Sequence, residues 1–91
     1  MKSIEFVRGH KAAISDVLAH YHVRNPRYVP DETDSADVVL LVQPEGQVSY
    51  FDVFKIEDAL AAELQASVTI LTEGALKGGD RDRILGIAEK V

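Results

Sequence analysis

The 91 residues contain no cysteine, which excludes disulfide frameworks, thiolate nucleophiles and cysteine-based zinc sites. No apolar run approaches the roughly 20 residues of a membrane span. The opening MKSIEFVRGHKAAI lacks the continuous apolar stretch of a secretory signal, so the expected compartment is the cytoplasm. Phosphate-loop signatures are missing too: Gly74, Gly78 and Gly79 complete neither G-K-[ST] nor G-x-G-x-x-G. No serine sits in a nucleophile-elbow context. Basic residues are outnumbered ten to fifteen, for a net charge of −5. The deficit is uneven: residues 1–28 carry five Lys/Arg against two carboxylates, and the remainder carries five against thirteen. An acidic domain gains little from counterion release, so nucleic acid is not an expected partner.

What is present fits one small soluble domain spanning residues 1–91, with an apolar fraction of 46% and a charged fraction of 27%. So short a chain builds one modest core, and support from a partner or a second copy is plausible. Ile14, Val17, Leu18 and Tyr21 fall at i, i+3, i+4 and i+7, which predicts a helix over Ile4–Tyr21. VRNPRYVP suits a short strand, and its prolines point to an edge or irregular one with Asn25 and Val29 extended. ADVVLLVQ is a short valine-rich run, the pattern of a central strand covered on both faces. PEGQ is a turn, with Gly46 its expected positive-φ residue. Ser49 and Asp52 have the spacing of a capping box opening a second helix, with Val53, Ile56, Leu60 and Leu64 as its buried stripe. SVTILT is a third strand. Asp80 is placed to cap a last helix whose apolar face is Ile84, Ile87, Ala88 and Val91. The expected order is α-β-β-α-β-α, a small α/β (α+β) fold with helices packed on one sheet.

Candidate chemistry gathers before the central strand, at Asp31, Glu32, Asp34 and Asp37. Two-metal sites need carboxylates on one strand face, which means i and i+2. The residue two after Asp37 is Val39, which cannot ligate a metal. Asp34 reaches the same face only through a bulge. A solvated acidic loop accounts equally for the cluster. His20 and His22 would share a face on a strand, but at a helix end they diverge by about 200°. Tyr21, Tyr28 and Tyr50 lack the basic neighbours of a base-stacking platform.

The order of pieces resembles the minimal nucleotidyltransferases, small members of the DNA-polymerase-β-like superfamily. ADVVLLVQPEG resembles their S-D-I-D-L-L-V-x-x-x-G strand, and SYFDVFKIEDALAAEL their second helix. SVTILTEGALKGGDRDRILGIAEKV looks like their third strand and closing helix. The resemblance implies a small nucleotidyltransferase-like fold. In that family three carboxylates hold two Mg²⁺ ions, and a Gly-Ser motif grips the nucleotide phosphates. The first carboxylate falls on Asp37, the second on Val39 and the third on Thr69. YVPDETDS has no glycine, and Pro30 stands where one belongs. With two of three ligands replaced, the resemblance implies a degenerate member with no catalytic residue and no expected cofactor. On that reading the chain is a binding or regulatory subunit, antitoxin-like, partnered with an all-helical HEPN-type toxin. Tyr50, Phe51 and Phe54 are the candidate partner-binding residues, unless they close the core. Asp37→Ala is then expected to cost neither partner binding nor much stability. The alternatives are a residual Mg²⁺-dependent nucleotidyltransferase or ATP-binding regulator using Asp37 and Asp34, and a homodimer built on the strand RYVP.

Overall fold

The computed structural model describes residues 2–30 and 36–91. Asp31, Glu32 and Asp34 therefore lie outside the described residues. The first helical stretch is two helices, α1 (Ile4–Gly9) and α2 (Lys11–His20), rather than one. Ser3 caps α1 by accepting from the Phe6 amide. The interruption is local: the His10 amide bonds Val7 O, while the Phe6 carbonyl pairs with His10 Nδ1 at 2.9 Å. A side chain thus occupies the carbonyl that the next turn of helix would use.

Strand β1 (Val23–Tyr28) follows a left-handed His22, φ 59°. It runs antiparallel to β2 (Val38–Pro44). Arg24 pairs with Gln43 and Arg27 with Leu41, so Asn25 and Pro26 oppose one residue in a bulge. Asn25 is left-handed at φ 56°, not extended as Pro26 alone suggests; asparagine tolerates that region. The bulge is what admits a proline into an interior strand. After β2 the Glu45 amide bonds His22 O, and the turn forms without a positive φ at Gly46.

Helix α3 (Tyr50–Leu64) starts at the expected capping box. Ser49 Oγ accepts from the Asp52 amide, and Asp52 Oδ2 accepts from the Ser49 amide. It buries Ile56, Leu60 and Leu64, and ends on a left-handed Gln65. Strand β3 (Val68–Thr72) lies parallel to β2, with Val38 opposite Val68 and Val39 opposite Thr69. A 3₁₀ turn (Glu73–Ala75) leads to α4 (Gly78–Ile87). This helix begins two residues before Asp80, which occupies its first turn instead of capping it. The chain then adds a fourth strand, β4 (Glu89–Lys90), which pairs with Arg27 and Tyr28 of β1.

The sheet order is β3-β2-β1-β4. Strand β1 is therefore interior, not the edge that a dimer through RYVP requires. Alternate residues of β2 feed two cores. Val38, Leu40 and Val42 pack with Val7, Ile14, Leu18, Ile56 and Leu60 beneath α1–α3. Val39 and Leu41 join Val29 and Ile84 beneath α4. Ile87 and Ala88 stay with α4, whereas Val91 leaves its face and joins the first core. The small α/β class with helices on a mixed sheet is the architecture observed, enlarged by β4.

Candidate functional site

Asp37 stands at the amino end of β2 and is half-buried. Its amide donates to Ser67 Oγ at 2.7 Å, and its Oδ2 accepts from the Ser67 amide at 3.2 Å. Its carbonyl accepts from the Lys2 amide at 2.7 Å, and the Tyr28 hydroxyl donates to Lys2 O. One aspartate thus ties the starts of β2, β3 and the N-terminal segment together. Asp37→Ala removes the acceptor of the Ser67 amide but leaves the Asp37 amide to donate to Ser67 Oγ, so half of this reciprocal clip depends on the carboxylate.

The positions corresponding to the other two carboxylates are neighbours in space. Val39 follows Asp37 on the same face, and Thr69 is its partner across the parallel ladder. Val39 is 1% exposed and packed among aliphatic side chains under α4. A pair of hard cations needs several oxygen ligands each. Among the described residues the donors here are one carboxylate already accepting an amide, one hydroxyl and no group from Val39, a set that does not by itself fit two Mg²⁺ ions. Among the described residues no cluster of three His, Asp or Glu could hold a metal. That includes His20 and His22: one ends α2, the other forms the turn before β1. Both border a hollow of about 440 Å³ that Glu45 and Asp52 also line.

A cleft of about 1010 Å³ lies at the other end of the parallel pair. Gln43 and Pro44 end β2 there, Thr72 ends β3, Glu73 opens the 3₁₀ turn, and Ser49–Phe51 open α3. Beside it Arg27 Nη2 approaches Glu73 Oε1 to 3.0 Å, with the two side chains 15% and 25% exposed. Charge proximity carries this pair, since no N–H of that nitrogen is aligned on an acceptor. The Gln43 amide holds the Glu73 carboxyl below its ordinary range, helped by the Arg27 and Arg81 guanidiniums and opposed by burial. The sequence carried no local sign of Ser67, Gln43 or Glu73 as partners, because each contact joins separate strands.

Tyr50, Phe51 and Phe54 project from the first turns of α3 and are 82%, 78% and 57% exposed. They do not close the core; Val53 and Ile56 face it instead.

An antiparallel β1–β2 pair extended by a parallel β3, with helices on both faces, defines a small nucleotidyltransferase-like fold. A solved structure described as "putative minimal nucleotidyltransferase" matches with a TM-score of 0.77 at 23% identity. The match covers 100% of this chain and 97% of that one. No family model and no curated protein matches the sequence.

Proposed function

We propose that the chain is a binding or regulatory subunit that keeps the nucleotidyltransferase-like fold without its metal chemistry. The observation that carries this is Val39: a dry aliphatic side chain, packed under α4, occupies the second carboxylate position. Phosphoryl-type transfer is mostly positioning and charge neutralisation by metal ions, so a chain without that ligand set has little left to catalyse with. The exposed Tyr50, Phe51 and Phe54 supply what a binding protein needs instead, an aromatic anchor patch on a rigid element. By analogy with the fold, the partner is a small helical protein of the HEPN type, with this chain as its antitoxin-like companion. No cofactor is required, and the site is cytoplasmic.

Titration with ATP and Mg²⁺, followed through backbone amide shifts, tests the reading. The expected result is no saturable shift around Asp37 and Thr69. Saturable binding centred on Asp37 would instead support a residual Mg²⁺-dependent nucleotidyltransferase or nucleotide-binding regulator in which Asp34 completes the ligand set. A co-purified helical protein lost on Phe51→Ser would identify the partner.

A further inference from the structure

The cleft beyond the carboxyl ends of β2 and β3 lies where sheets with parallel strands leave room for ligands. Its volume of about 1010 Å³ falls at the upper end of the roughly 300–1,000 Å³ of small-molecule sites. Of the described residues that line it, Arg24 and Glu73 are charged. Glu73 is already committed. Arg27 Nη2 stands 3.0 Å from its Oε1, and the Gln43 amide and the Arg81 guanidinium also favour its ionised form. Arg24 is not. It is exposed and has no ion pair among the described residues. Its place is fixed by strand register, since its backbone lies opposite Gln43 near the end of β2. The uncommitted charge in the cleft wall is therefore positive.

The nearby carboxylates belong to other arrangements. Glu45 and Asp52 line the neighbouring hollow, and Asp52 Oδ2 accepts from the Ser49 amide. The net charge of −5 opposes an anion from farther off, and salt screens it over about 8 Å under physiological conditions. A group in contact with Arg24 is inside that range. Much of the remaining wall is apolar: Val48, Val53 and the rings of Tyr50 and Phe51, which are 82% and 78% exposed. A flat ring set against these two takes apolar surface out of water and gains offset or edge-on aromatic contact. A guanidinium grips a carboxylate through two parallel N–H bonds. A cation would be repelled by Arg24, and a neutral ring would leave it unanswered.

We infer that this cleft binds a small aromatic carboxylate, with its ring against Tyr50 and Phe51 and its carboxylate on Arg24. The inference goes beyond the binding-subunit reading and does not depend on it.

The probe is 2-naphthoate, with the matching naphthamide and naphthylmethylammonium as controls of equal ring size. Amide shifts of the full chain are followed in each titration. Naphthoate should saturate, with shifts centred on Arg24, Gln43, residues 48–51 and residues 72–75. The amide should bind about fivefold more weakly, and the ammonium should not saturate. Arg24→Gln, checked for unchanged circular dichroism, should weaken naphthoate by about fivefold and leave the amide unchanged. Phe51→Ser should weaken both by about tenfold. Equal binding of carboxylate and ammonium, or no effect of Arg24→Gln on naphthoate, would mean an unselective apolar hollow and would overturn the proposal. So would no saturation by millimolar naphthoate, or shifts centred elsewhere. ATP and Mg²⁺ bound through Asp37 would shift the opposite end of β2, so a failure of the non-catalytic reading is seen separately.

Discussion

The two ends of β2 have opposite characters. At its amino end Asp37 is spent on Ser67, and Val39 is sealed under α4. At its carboxyl end Gln43 opens into a cleft, beside a charged network and three exposed aromatic rings. The two ends lie one strand length apart, about 20 Å along a seven-residue strand.

Placing a carboxylate at Val39 is the harshest way to break the contrast. Val39→Asp puts a charge into an aliphatic cluster and should cost at least about 3 kcal/mol, a large part of a small domain's stability. Thr69→Asp, at a half-exposed position on the same face, should cost much less. Denaturant melts of the two variants compare them directly, and equal costs would mean that the site is wetter than Val39 indicates.

The Asp37 clip comes next. Asp37→Ala and Ser67→Ala should each lose about 1 kcal/mol. For a domain of this size that corresponds to a fall in Tm of about 4–8 °C. The two substitutions remove different hydrogen bonds of one clip, so the double variant should lose less than the sum to the extent that each bond holds the other in place. Strict additivity would show that Asp37 and Ser67 act separately.

At the opposite end, Glu73→Gln should cost about 0.5 kcal/mol at neutral pH, since the pair with Arg27 is partly solvated. The folded protein lowers the Glu73 pKa, so the unfolded chain binds the proton more tightly. The stabilisation is full above the ordinary value of about 4.5 and is lost as pH falls through the lower folded value. The gap between wild-type and variant melting temperatures should close on acidification, and a gap constant with pH would remove the carboxylate from the account. The smallest effect is expected from Phe51→Ser, within about 0.5 kcal/mol of wild type. A larger loss would place the ring in the core after all.

Much of this was legible in the residues. The Ser49–Asp52 capping box is local and repeats a known spacing, and the valine-rich run could only be a buried strand. That position 39 offers no metal ligand was readable from the residue itself. Other features were not, for one physical reason: their partners are distant in sequence. The clip to Ser67 spans 30 residues. The bulge at Asn25–Pro26 belongs to the pairing of β1 with β2, and two residues are too few for β4 to carry a pattern. The exposure of Tyr50 and Phe51 was ambiguous because a helix start can face either way until its neighbours are fixed.

One contact decides the manner in which the protein can be recognised. The Ile70 amide, on the side of β3 away from β2, is already taken by Glu57 Oε2 of α3 at 2.8 Å. At the far side of the sheet β4 offers two residues. A peptide seeking to extend the sheet would meet an occupied donor and a carboxylate on one border, and too short a template on the other. Ladder extension is thereby blocked at the middle of β3. Selectivity is left to side chains, where sequence can be read.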